Sequence, residues 1–216
     1  MHKLARTTAA TLAAGAILFT AACSSDSDAA PAADEPTSGA RAVLEDGESN
    51  PMIAQGVEIS GDATVYKSSG IGATAMNDAA PEGSPESYVD TDQFVGGTLP
   101  AGVTVTEAQG IGVLKKIRDN LELQGYSLED VVTMRVFLDN APGTERADYA
   151  GWNRAYRQFF ANTNLDTDET ELVPMGTAEP SAPIERNSAR PSRFALEVAT
   201  LPVQGWLVEV EVDAVK

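Results

Sequence analysis

The chain has 216 residues, with 15 Lys and Arg against 32 Asp and Glu, for a formal net charge of −17 at pH 7. Such a balance repels phosphate backbones and anionic lipid, which argues against nucleic-acid binding and against membrane attachment through a basic patch. The one histidine is His2 and the one cysteine is Cys23, so chemistry built on imidazole or thiolate has little to work with.

The first segment, 1–22, reads as an export signal: His2, Lys3 and Arg6 form a basic start, and Thr8 to Ala22 is apolar and small. About 15 apolar residues fall short of the ~20 that a membrane span requires. Thr20-Ala21-Ala22-Cys23 resembles a bacterial lipobox, where the chain is cut before the cysteine and the thiol carries diacylglycerol. A plain secretory signal with an incidental cysteine is the alternative. Processing of either kind would leave no histidine, and acylation would consume the thiol. His or Cys zinc sites, Ser-His-Asp triads and disulfides then drop out. Carboxylates, Arg, Lys, Tyr, hydroxyls, backbone dipoles and water remain, and no cofactor or metal is expected.

Residues 23–50 are rich in Ala, Ser, Asp and Pro and poor in large apolar side chains, the composition of a lipidated, disordered tether. Residues 51–216 suit one domain. Within it, Gly56–Ser60 and Ala63–Ser69 alternate around Gly61-Asp62, predicting strand, turn and strand. Residues 75–102, with Pro81, Pro85 and Pro100, form an irregular insertion. Thr104-Val-Thr-Glu107 has capping-box spacing. Ala108, Ile111, Leu114, Ile117 and Leu121 then make one helical stripe that stops at Gly125. Glu129–Asp139 is a buried strand. Thr144 is placed to cap a second helix with the stripe Tyr149, Trp152, Tyr156, Phe159 and Phe160. Residues 162–190 form a second insertion, and the runs Arg190–Pro202 and Trp206–Val212 supply two closing strands. The order ββαβαββ predicts an α+β sandwich, with two helices on one face of a mixed sheet.

The C-terminal segment Pro191-Ser-Arg193-Phe-Ala-Leu-Glu197-Val-Ala-Thr-Leu201-Pro202, followed by Val208-Glu209-Val-Glu211-Val, resembles the signature of the RidA/YjgF reactive-intermediate deaminase family. The family pattern is Pro-Ala-Arg-x-x-x-x-Val-x-x-Leu-Pro and then a strand of alternating hydrophobic residues and Glu. This chain carries one extra residue in the Val203–Leu207 turn. Asn153-x-x-Tyr156-x-x-Phe159-Phe160 is similar to the family's helix motif, and Ser69-Gly70 stands where the family has Ser-Gly-Gln. Three positions depart from the pattern. Ile71 replaces the glutamine, Ile53 replaces a tyrosine of the N-terminal segment, and Ala195 replaces a frequent cysteine. The departures point to a divergent branch with a different or larger substrate, or with lost activity. The resemblance implies the family's fold, and a homotrimer with sites between subunits.

A guanidinium presents a planar fork that fits a carboxylate through two parallel hydrogen bonds. The resemblance gives Arg193 the role of gripping the carboxylate of a 2-imino or 2-enamino acid, with Glu209 facing it. Pairing of Arg193 with Glu197 or Glu209 for structure alone is the alternative. Glu209 is assigned to orient water and shuttle a proton. Glu211 shares its side of the strand. Gly70 backbone groups and Asn153 would position the substrate, Tyr156 reads as core, and Arg190 reads as a solvated loop charge. The expected function is cofactor-free hydrolytic deamination of reactive imines or enamines, releasing ammonia, by an exported protein lipid-anchored at Cys23. The alternative is a carboxylate-binding or structural lipoprotein with a vestigial cleft.

Overall fold

Alternation of burial sorts the sheet into two faces. The structure, a computed structural model, describes residues 39–216; the expected export signal, Cys23 and the expected tether up to residue 38 lie outside the described residues. Nine regular elements follow: strands β1 (Gly39–Val43), β2 (Gly56–Ser60), β3 (Val65–Lys67) and β4 (Ile71–Gly72), helix α1 (Val105–Leu123), β5 (Val131–Leu138), helix α2 (Tyr149–Arg157), β6 (Ser192–Glu197) and β7 (Val208–Val215). Four strands lie in the order β3-β7-β5-β6, and β4 also pairs with β7. β5 and β6 are parallel, while β7 is antiparallel to β3, β4 and β5. The sheet is therefore mixed, as expected. The parallel pair is joined by a crossover through α2 and the second insertion, since parallel strands cannot be joined by a tight turn.

Met134, Val136 and Leu138 of β5, with Val208, Val210 and Val212 of β7, point to the helices and are fully buried. They pack beneath Ile111, Leu114, Ile117 and Leu121 of α1 and Trp152 and Tyr156 of α2. Burying each of these aliphatic side chains stabilises by roughly 1.5–3 kcal/mol. The two helices approach closely at Gly110, where an added Cβ would meet Ala155 and the Trp152 ring. Gly125, at φ +80°, ends α1 in a left-handed conformation that a side chain would strain.

Thr104 caps α1 by accepting from the Glu107 N–H at 3.1 Å. The reciprocal half of the capping box is absent. The Glu107 carboxylate turns inward instead, is fully buried, and accepts from Arg154 of α2 at 2.7 and 2.8 Å and from the Gly176 N–H at 2.9 Å. One side chain thus ties α1 to α2 and to the second insertion.

Three expectations about the frame are corrected. The tether does not run to Asn50: β1 begins at Gly39 and pairs with β2, and Ser49 and Asn50 bond Asp166 and Glu171. β2 and β3 follow each other across the expected turn but do not pair, because β2 takes β1 and β3 takes β7. The second helix is capped by Asp148, which accepts from the Gly151 N–H at 2.8 Å, whereas the Thr144 hydroxyl serves its own turn by donating to Ala141 O. Among the described residues no helix is long and apolar enough to cross a membrane.

Candidate functional site

β6 places Arg193 at its second residue, opposite Met134 of β5 and hence on the helix-bearing face. The guanidinium lies over the Tyr156 ring, 4.2 Å from its centroid, and its Nη2 donates to Asn153 Oδ1 at 2.8 Å. Asn153 and Tyr156 are three apart on α2 and so share one side of the helix. Arg193 has no ion pair with a carboxylate among the described residues, and its buried Nη1 has no hydrogen-bond partner. Burial lowers its pKa from the ordinary arginine value, with Tyr156 acting in the opposite sense. The cation persists at any physiological pH. Arg193 does not pair with Glu197, whose carboxylate accepts from the Ala147 N–H instead, at 2.8 Å.

Tyr156 has a role beyond the core. It is fully buried, stacks on Phe160 with centroids 5.4 Å apart, and donates its hydroxyl to Met52 O at 2.9 Å. Burial pushes the phenol up to about 12, against the pull of Arg193, Arg190 and Arg157. A raised folded-state pKa contributes stability that is complete below the unfolded value near 10. That contribution is lost as pH rises through about 12. Absorbance titration of phenolates is expected to find one tyrosine ionising last, together with alkaline unfolding, and Tyr156→Phe should remove that step.

Arg190 is not a solvated charge. It is buried and donates to Pro51 O, Ser188 O, Asn50 Oδ1 and Thr163 O at 2.5 to 2.8 Å. These bonds hold Pro51–Ala54 alongside the start of β6, where Ala54 bridges Ser192 in parallel. Ile53 stands half-buried in this segment against the core.

The other candidates gather elsewhere. Gly70 and Glu209 line one open cleft of about 330 Å³ with Phe137, Val198, Thr200, Leu201, Pro202 and Glu211. A Cβ on Gly70 would overlap the Glu209 carboxylate and push that side chain aside, so glycine lets the carboxylate lie against the backbone. Glu209 has no ion-pair partner among the described residues, whereas Glu211 lies 3.8 Å from Arg135. Glu209 pairs with Phe137 of β5, and Arg193 pairs with Met134. Residues three apart on a strand face opposite sides. Arg193 and Glu209 of one chain therefore lie on opposite faces of the sheet, with β5 between their strands. The expectation that Glu209 faces Arg193 is corrected accordingly.

The chain thus brings Arg193 to Asn153 and Gly70 to Glu209, but does not join the two pairs. Tyr156, Phe137, Thr200 and Pro202 were not singled out by the sequence as site residues; the three-residue spacing of Asn153 and Tyr156 was the available signal for the first. No group of three or more His, Cys, Asp or Glu is arranged to hold a metal among the described residues.

Residues 89–216 match the model of the endoribonuclease L-PSP family. Among solved structures, the YjgF gene product of E. coli is 22% identical, with 81% of this chain and 93% of that chain covered and a TM-score of 0.40. E. coli TdcF with bound serine is 19% identical, with 82% and 99% covered and a TM-score of 0.39. Rv2704 of Mycobacterium tuberculosis, a YjgF/YER057c/UK114 member, is 18% identical, with 82% and 98% covered and a TM-score of 0.37. No curated protein is significantly similar in sequence.

Proposed function

Because the chain belongs to the endoribonuclease L-PSP family, the group that includes YjgF and RidA, we propose that it is a cofactor-free deaminase that hydrolyses reactive imines or enamines of small 2-amino acids. The observation that carries this reading is Arg193: a half-buried guanidinium on an aromatic seat, held by an amide oxygen, with no internal carboxylate and with its Nη1 unpartnered. An unmet buried donor is costly, and an external carboxylate would satisfy it through the fork. The family's printed name raises RNA cleavage as another reading. A net charge of −17 weighs against a polyanionic substrate.

Glu209, unpaired beside the apolar walls of its cleft, supplies the second half of the chemistry. Water adds its oxygen to the C=N carbon, the nitrogen takes up protons, and the C–N bond breaks to give a carbonyl and ammonia. Glu209 accepts a proton from the attacking water and returns it toward nitrogen. Because the arginine and this carboxylate occupy opposite faces in one chain, a complete site takes Arg193 from one copy and Glu209 from another. The self-assembly required is the homotrimer implied by the resemblance. Asn153 and the Gly70 backbone position the substrate, and modest orientation suffices for an intermediate that also hydrolyses unaided.

Ammonia release from a 2-imino acid generated in situ by an amino-acid oxidase tests the reading. Wild type should accelerate release and Arg193→Ala should not. No acceleration by wild type sinks the deaminase reading. Binding of 2-oxobutyrate without acceleration would then favour a carboxylate-binding lipoprotein, and absence of both would favour a structural one.

Export and lipid anchoring through Cys23 belong to the same proposal. Cys23→Ser is expected to move the protein from membrane to soluble fractions. Unchanged membrane association would assign the anchor elsewhere.

A further inference from the structure

We propose that a groove between α1 and the first insertion is a binding site for a free α-amino acid, separate from Arg193 and from the Glu209 cleft. The groove measures about 190 Å³, and its lining includes Thr74, Tyr88, Asp90, Gly112, Lys115 and Lys116. Gly112, Lys115 and Lys116 lie three and four apart on α1, so they share its outer side, while Ile111, Leu114 and Ile117 face the core.

The charges carry the argument. Four lysines fall among the described residues. Lys67 pairs with Asp213 and Lys216 with Asp130. Only the two adjacent lysines of the groove have no carboxylate partner. Lys115 donates to Gln93 Oε1 at 3.2 Å, and Lys116 to Gly72 O at 2.6 Å. Each acceptor is neutral, and an ammonium has three N–H groups, so both cations retain unused donors in a chain with a large excess of acid. Arg118, also in the lining, is already neutralised by Asp119 through bonds of 2.8 and 3.1 Å.

The opposite wall carries the complementary charge. Asp90 Oδ1 accepts from the Asp92 N–H at 3.1 Å, and Oδ2 is left without a partner. Apart from the Arg118–Asp119 pair, which also lines the cavity, two ammoniums and one carboxylate remain, and these disfavour a dianion and suit a zwitterion. The ligand carboxylate meets Lys115 and Lys116, and its ammonium meets Asp90. Gly112 keeps the floor open, because a Cβ built there meets nothing within 4 Å.

Calorimetric titration of the full-length protein tests this, carried out in an Arg193→Ala background that removes the arginine proposed above to grip a carboxylate. L-alanine is expected to bind there, and Lys115→Met should weaken it at least about tenfold. Gly112→Leu, whose Cβ meets nothing within 4 Å and which removes no charge, should do the same, with circular dichroism unchanged. Propionate, lacking the ammonium, should bind at least about tenfold more weakly than L-alanine, and inorganic phosphate should not compete. L-alanine binding that disappears with Arg193→Ala, or that survives both Lys115→Met and Gly112→Leu, overturns the site. Propionate or phosphate binding as tightly as L-alanine overturns the amino-acid assignment.

Discussion

Arg193→Ala and Glu209→Gln are each expected to remove most imine-hydrolysing activity, and a mixture of the two variants is expected to recover part of it. Charge-assisted hydrogen bonds are worth about 1.5–3 kcal/mol each. Loss of both bonds of the fork should therefore cost about 3–6 kcal/mol, or ~100- to 10,000-fold in kcat/KM. Arg193→Lys keeps the charge but not the planar pair of donors, and it should lie close to alanine. The recovery on mixing follows from the sheet. β5 separates the two strands, and the two side chains take opposite faces, so no single chain can apply both to one substrate. If copies exchange at random after co-refolding, about a quarter of the shared sites contain both wild-type groups. Specific activity near that fraction is the expected reading. Mixtures no more active than the separate variants would show that the two groups do not act across copies. Full activity of Arg193→Lys would make the residue structural.

Arg154→Met is expected to destabilise the fold by about 3–5 kcal/mol, because it leaves the Glu107 carboxylate buried with no cation. Glu107 is fully buried, and Arg154 is its ion-pair partner, at 2.7 Å. The double replacement Glu107→Leu with Arg154→Met should recover most of that loss, since an apolar pair of similar volume removes the stranded charge. It should not recover all of it, because the Gly176 N–H loses its acceptor. Urea unfolding of the two single variants and the double variant gives the cycle. Additive costs would mean that the pair is not coupled and that the carboxylate is satisfied in some other way.

Both expectations rest on features that differ in how far the sequence disclosed them. The stripe of α1, its Thr104 cap and its Gly125 stop follow from local spacing, and the structure has all three. The alternation in β5 and β7 likewise marks one face as core before any partner strand is known. The segment around Arg193 is legible because its signature is contiguous. Elsewhere local signals misled. Glu107 has the spacing of a reciprocal cap, yet its carboxylate turns to Arg154, 47 positions away. Arg190 has the look of a loop charge, yet oxygens of Asn50, Pro51 and Thr163 from distant segments enclose it together with the nearby Ser188 O.

The amino-acid order by itself determined the two helices, the strands β2, β3, β5, β6 and β7, the family and the identity of the arginine, because each depends on periods of two or 3.6 residues or on one short run; β1 and β4 were not legible in it. Tertiary structure alone decided which strands are neighbours and in what register. Those choices send Arg193 and Glu209 to opposite sides, although each lies on a strand whose alternation was readable. Parity along a strand is a local property, but the relation between two strands is fixed by hydrogen bonds to a third, whose Met134 lies 59 residues from Arg193 and whose Phe137 lies 72 from Glu209.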